Sequence, residues 1–342
     1  MRYFIGLLFF IQSVYLSSIE YVYLCDYEVG IEDLFSKTEV PDFHAASMWD
    51  KIKYLLNRQG DDIYGMKLHR AMQLEKNENR KFIISNAPYY LPEEFLEKSL
   101  KENLITIIWE PPSVILKQHT DAYYSYFSKV FTWDDSRVNG DKFIKFRYPV
   151  MMPMISELVP FSEKKLCTLI AANKNSTYKG EIYSERRRAI AYFNHFPEEF
   201  DLYGHGWNQR EFSVYKGSIG DKIDTLKKYK FSICYENTVG MQGYITEKIF
   251  DCFQAGVVPV YLGSSNIENE VFANCFIDKR KFNTYEELHS FLQAISEEEY
   301  NLYIENIRIY LTSSQAKLYT ENAFVLDIVN GLTGQELTFS DL

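Results

Sequence analysis

The segment from Tyr229 to Gly263, YKFSICYENTVGMQGYITEKIFDCFQAGVVPVYLG, leaves this chain few ways to fold. Phe231 to Tyr235 reads as a buried strand that delivers Glu236 and Asn237 to its carboxyl end. A glycine-containing loop, Thr238 to Tyr244, follows and reaches Thr246, a good helix N-cap with Glu247 and Lys248 in the first turn. Gly256 supplies a left-handed stop, and Val257 to Leu262 returns as the next strand. In open α/β sheets built from such units, ligands sit outside the carboxyl ends of the strands.

The same alternation runs through most of the 342 residues. In the first half, strands are predicted at Glu20 to Cys25, Lys81 to Ser85, Leu104 to Trp109 and Lys129 to Thr132, with helices at His44 to Leu56 and Pro92 to Glu102. Met151 to Pro160, rich in Met and Pro, is the linker candidate. The second half restarts with strand Leu166 to Ala171, helix Glu181 to Asn194, strand Phe200 to Tyr203 and a helix near Lys222 to Lys228. A helical tail, polar on one face, covers Thr284 to Leu311. This pattern makes an α/β protein with parallel sheets. The division expected is 1–18, 19–150, 160–312 and a C-terminal tail, 313–342, that packs back.

A formal charge of −10 argues against a nucleic-acid partner, whose phosphates need a basic footprint. Positive charge is nevertheless gathered between His205 and Lys230, where six Lys and Arg face three acids. The five cysteines have no CxxC spacing, so neither a disulfide framework nor a zinc site is expected. The chain also has no Asp-x-Asp pair with which to hold a diphosphate through a cation, and no metal or other cofactor is expected.

Lys248 is the most informative single residue. A cation in a first helical turn opposes the macrodipole and costs about 0.3–1 kcal/mol, which an anion bound at the same turn would offset. Glu247 can accept hydrogen bonds from ribose hydroxyls, although an acid there is favourable by itself. Asn237 can donate to a phosphate or close an Asx-turn. In the first half, IIWEPP places Glu110 just past an apolar strand, beside Trp109 and two prolines. A carboxylate held rigidly and partly desolvated has a raised pKa, suited to taking a proton.

CYENTVGMQGYITEKIFDCFQAGVVPVYLG resembles the signature of glycosyltransferase family 10, the α-1,3-fucosyltransferases. Looser similarity extends through LCTLIAAN, Tyr203 to Lys222 and NCFIDKRKF, covering most of the second half, while the first half matches weakly except at Glu110. The resemblance implies two Rossmann-like domains facing across a cleft (GT-B type) and metal-independent, inverting transfer from GDP-β-L-fucose to a glycan acceptor. The acceptor group implied is O3 of a GlcNAc-type residue, giving an α-1,3 linkage. Glu110 would be the catalytic base, and Glu236, Asn237, Tyr244, Thr246, Glu247 and Lys248 the donor-binding positions. A loop cation would meet the β-phosphate; Arg210 and Lys216 are the favoured alternatives, with Lys222 also in reach and Arg186 to Arg188 assigned to a surface face. Another metal-independent nucleotide-sugar transferase, or a non-catalytic glycan-binding relative, is the competing reading.

Arg2 precedes an apolar run through Leu16, and residues 3–19 suit either a short membrane anchor or a cleavable signal. Either one would put the protein on a membrane or in a secretory route: Golgi in a eukaryote, or the cytoplasmic face of a membrane in a bacterium. In a secretory setting Asn175-Ser-Thr would be a glycosylation acceptor.

Overall fold

The computed structural model describes residues 18–24, 34–35, 47–85, 95 and 101–342. The apolar N-terminal run, Cys25, and nearly all of the helix expected over Pro92 to Glu102 lie outside the described residues. No helix among the described residues is long and apolar enough to cross a membrane.

Two parallel sheets carry the fold, six strands in order β2-β1-β3-β4-β5-β6 and five in order β11-β10-β9-β7-β8. The first comprises β1 (Glu20–Leu24), β2 (Asp62–Met66), β3 (Arg80–Ser85), β4 (Leu104–Ile108), β5 (Lys129–Thr132) and β6 (Phe143–Lys145). The second comprises β7 (Lys165–Ile170), β8 (Phe200–Tyr203), β9 (Tyr229–Tyr235), β10 (Val258–Leu262) and β11 (Ile277–Asp278). Central strands such as LITII of β4 are buried at every residue, because helices cover both faces of a parallel sheet. β2, β6 and β11 escape the sequence reading. Each is short and at a sheet edge, and the DIYGM of β2 breaks its apolar pattern with Gly65. The predicted tail helix is two helices, Tyr285–Ala294 and Glu297–Leu311, parted where Ser296 and Glu299 form a capping box.

The chain crosses from one sheet to the other between β6 and β7 and returns through the Glu321–Thr333 helix. That helix packs on the Met48–Asn57 helix, where the Lys51 ammonium donates to Asn322 Oδ1 at 2.8 Å. Its Phe324 ring meets Trp49, Trp109 and Phe146.

The seam between the halves is aromatic at its centre and polar at its rim. Tyr244, from the second half, inserts 4.7 Å from Trp133 and 6.3 Å from Tyr148. Arg147 grips Glu270 with two nitrogens at 2.9 and 3.0 Å, a bidentate pair with low exposure. Asn266 donates to Asp135 at 2.8 Å and accepts from the Gly243 N–H at 2.8 Å. Gly243 has φ 78°, and a Cβ there would sit 2.3 Å from the Trp133 carbonyl oxygen.

Gly243→Ala therefore carries both left-handed strain of about 1–3 kcal/mol and a backbone overlap, whereas Gly240→Ala carries the strain alone. Gly240 has φ 81° with open space around it. Urea unfolding should show the Gly243 variant to be clearly the less stable of the two. Equal losses would mean that the seam does not require close approach at this position.

Candidate donor and base site

β9 ends at Tyr235 and hands its next residue, Glu236, to the interior, where the side chain has 0% exposure. Burying a carboxylate so deeply requires that every lone pair be used. Glu236 Oε1 accepts the Thr246 N–H at 2.9 Å and Oε2 accepts the Thr246 hydroxyl at 2.8 Å. The Lys248 ammonium lies 3.2 Å from the same Oε2 and donates to Thr246 Oγ1 at 2.9 Å and Glu247 Oε1 at 3.3 Å. Burial would lower the Lys248 pKa, but Glu236 and Glu247 outweigh it and hold that pKa above the ordinary lysine value. Glu247 has the mirror situation: burial raises its pKa, and Lys248 and Lys222 bring it below the usual carboxylate range.

Two sequence expectations change here. Thr246 is the N-cap residue, but its hydroxyl does not cap the Glu247–Gln254 helix; it donates to Glu236 instead. Lys248 does not depend on a bound anion to offset its position against the dipole, since Glu236 and Glu247 already neutralise it.

A cavity of about 350 Å³ opens at the carboxyl ends of β7 and β9. Its lining includes the polar Lys174, Arg186, His205, Lys222, Asn237, Glu247 and Lys248 and the apolar Leu169, Ile219, Leu226 and Ile233. A wall of cations around an apolar slot suits a charged group tethered to a flat heterocycle.

Arg210 and Lys216 are absent from this wall. Arg210 is exposed on a turn, and the Lys216 ammonium points to Asp201 at 3.5 Å. Asp201 also binds Lys165 and Tyr229, the first residues of β7 and β9, so Lys216 is drawn away from the ligand-binding ends of the strands. Tyr244 does not line the cavity either; it is 2% exposed and belongs to the aromatic seam. Glu236 acts behind the wall, through Thr246 and Lys248.

The cations present include Lys174, which the sequence reading did not single out, and Arg186, which it assigned to a surface face. Arg186 is 5% exposed, and its Nη2 donates to the Tyr235 carbonyl at 2.6 Å, the Glu236 carbonyl at 2.5 Å and Asn237 Oδ1 at 3.0 Å. All three are neutral oxygens, and among the described residues no carboxylate lies within ion-pair distance of the guanidinium. Among the described residues Lys174 has no ion-pair partner either, whereas Lys222 is committed to Asp251. The clue to Arg186 was in the sequence. Tyr183, Arg186, Ala189, Ile190 and Phe193 form the buried face of the Tyr183–Phe193 helix at helical spacing, and Arg187 and Arg188 fall off it.

Glu110, in the first half, lies within electrostatic reach of Lys174, Lys248 and Glu247 of the cavity wall. Burial raises its carboxyl pKa above the ordinary value, Lys174 and Lys248 pull it down in part, and Glu247 pushes it up. Its backbone is fixed from several sides. His119 Nε2 bonds the Glu110 carbonyl at 2.8 Å, and the Trp109 carbonyl accepts from Trp133 Nε1 at 3.0 Å and from the Tyr148 hydroxyl.

The two halves, each built on a parallel sheet, have the GT-B fold. Two solved α1,3-fucosyltransferase structures superpose over nearly the whole chain. The first has a TM-score of 0.59 at 14% identity, covering 92% of this chain and 91% of that one. The second, solved with GDP-fucose, has a TM-score of 0.55 at 12% identity, covering 94% and 92%. The sequence match is narrower. Residues 161–324 fit the family model described as glycosyltransferase family 10 (fucosyltransferase) C-term. The 4-galactosyl-N-acetylglucosaminide 3-alpha-L-fucosyltransferase 9 of Mus musculus is 30% identical over 164 residues, 47% of this chain and 38% of the mouse protein. Over residues 161–324 the chain is similar to glycosyltransferase family 10.

Removing the Glu236 carboxylate leaves Lys248 and two Thr246 donors without their buried acceptor. Glu236→Ala should therefore cost about 3–5 kcal/mol of unfolding free energy, measured in urea. A loss of under about 1 kcal/mol would show that Lys248 and Thr246 readily find other partners.

Proposed function

We propose that the protein transfers L-fucose from GDP-β-L-fucose to a glycan hydroxyl with inversion, Glu110 acting as the base. The match of residues 161–324 to the family 10 model supports the reaction class, and the likeness to an α1,3-fucosyltransferase solved with GDP-fucose supports the donor. The observation that carries the reading is the Glu110 carboxylate, desolvated and within electrostatic reach of Lys174, Lys248 and Glu247 at the cavity.

In the proposed step the acceptor oxygen forms a bond to the fucose anomeric carbon while the bond from that carbon to the β-phosphate oxygen breaks. The acceptor proton passes to Glu110, and the electron pair leaves with GDP. Arg186, Lys174 and Lys248 supply the positive charge that meets the developing phosphate charge, and Glu247 accepts from the ribose. Arg186 and Lys174 replace Arg210 and Lys216 in this role, because only the former pair reaches the cavity. No metal is invoked; the charge needed by the leaving group is available from the side chains. The acceptor O3 of a GlcNAc-type residue and the α-1,3 linkage follow the names of the relatives and belong to this proposal. Attachment to a membrane through residues 3–19 is likewise part of the proposal.

Glu110→Gln should lower turnover by about 10²–10⁴-fold while leaving GDP affinity, measured by calorimetry, nearly unchanged. Turnover close to that of the native protein would remove Glu110 from the mechanism. A base must be ionised, so activity should fall as pH drops through the raised Glu110 pKa. Lys174→Met removes a charge that lowers this pKa and should move the acidic limb of the rate profile to higher pH. An unmoved or lowered limb would mean that another group titrates there.

A further inference from the structure

The loop that carries Glu110 touches the donor-binding half through a buried pair of hydroxyls. After Glu110, Pro111 and Pro112 restrict the backbone, and the Pro111 carbonyl accepts from Val114 N at 2.9 Å and Ile115 N at 3.0 Å. This turn directs Ser113, 7% exposed, at Thr238, 0% exposed, and the two side-chain oxygens lie 2.5 Å apart across 125 residues of sequence. Thr238 directly follows Asn237 of the cavity wall. It is held there by a short antiparallel bridge to Glu181, with Ile182 N donating to the Asn237 carbonyl at 3.2 Å and Val239 N to the Gly180 carbonyl at 2.8 Å. The base loop therefore meets the donor loop at Ser113 and Thr238, and the segment leading into the Arg186 helix joins them through the bridge from Glu181 to Thr238.

We propose that the Ser113–Thr238 hydroxyl pair is the positioning contact that holds Glu110 in register with the bound donor. The proposal rests on the reading of Glu110 as the base. Neither hydroxyl lines the donor cavity, so neither touches nucleotide or reacting atoms. An apolar pair of the same size would fill the space but would fix no direction, whereas a hydrogen bond sets both separation and orientation. General-base chemistry is sensitive to that register, since a displacement of about 1 Å can cost about 10²-fold in rate. The Arg147–Glu270 and Asn266–Asp135 contacts join the halves elsewhere on the seam, so losing one hydroxyl leaves the two halves assembled.

The test is a double-mutant cycle of Ser113→Ala and Thr238→Val in the full chain, read by steady-state kinetics with GDP-fucose and an acceptor, with GDP titrated calorimetrically into the same preparations. Each single variant should lower kcat by about 10- to 100-fold with GDP affinity changed less than about twofold, and the double variant should be no slower than the slower single. Thr238→Ser keeps a hydroxyl and should stay within about threefold of the native kcat. The proposal is overturned if the single variants keep native kcat, if their losses multiply, or if Thr238→Ser falls as far as Thr238→Val. Loss of GDP binding alongside kcat would also overturn it, by marking a general collapse of the site. Glu110→Gln run in parallel separates the two claims. An inactive Glu110→Gln beside a fully active Ser113→Ala removes the hydroxyl pair alone, and an active Glu110→Gln removes the base itself.

Discussion

The buried carboxylate of Glu236 organises the donor half. It leaves β9 at a point where water cannot reach it, and it is tolerated because Thr246 and Lys248 together use its oxygens. That requirement fixes where the Glu247–Gln254 helix begins. It also fixes the direction of the Lys248 ammonium, and so the charge at the mouth of the cavity. A loop of nine residues, 237 to 245, lies between the partners, and its path is pinned by Gly243 and Tyr244 against the other half. One ion pair within a single βαβ unit therefore couples the chemistry of the donor pocket to the packing between the halves.

The charge pattern that results is graded. Lys248 and Lys222 are each answered by carboxylates, whereas Arg186 rests on neutral oxygens and Lys174 has no ion-pair partner among the described residues. A site of this kind carries enough acid to remain folded when empty and enough uncommitted positive charge to draw in a diphosphate. The acidic balance of the whole chain, −10, is then no obstacle to anion binding, because the field that matters is local. In the first half the balance is reversed. Glu110 is a partly desolvated carboxylate whose nearest influences are two cations of the other half.

Much of this was legible in the sequence, for local reasons. The strand, loop, helix and strand of Tyr229 to Gly263 fall where turn chemistry and apolar runs put them, and Glu110 leaves its strand where IIWEPP says it should. What escaped is non-local. Tyr244 follows a glycine in a ligand-binding loop, but its ring is taken up by Trp133 and Tyr148, more than ninety residues earlier in the chain. Lys216 belongs to a basic stretch, but Asp201 captures it from the neighbouring strand. Thr246 has the identity of a cap, and a buried acid ten residues earlier claims its hydroxyl. Arg186 is the instructive exception. Three consecutive arginines suggest a solvated face, but the helical spacing of Tyr183, Ala189, Ile190 and Phe193 already separates the inward one from the other two.

The central claim is a single displacement in which one carboxylate, supplied by the half that does not hold the donor, removes the acceptor proton. Proton NMR of the product formed from GDP-β-L-fucose, together with mass spectrometry of the protein quenched during turnover, tests it directly. The account predicts an α-linked fucoside and no fucose covalently attached to the chain. A β-linked product, or a fucosyl ester on Glu110, would show two displacements and contradict the account.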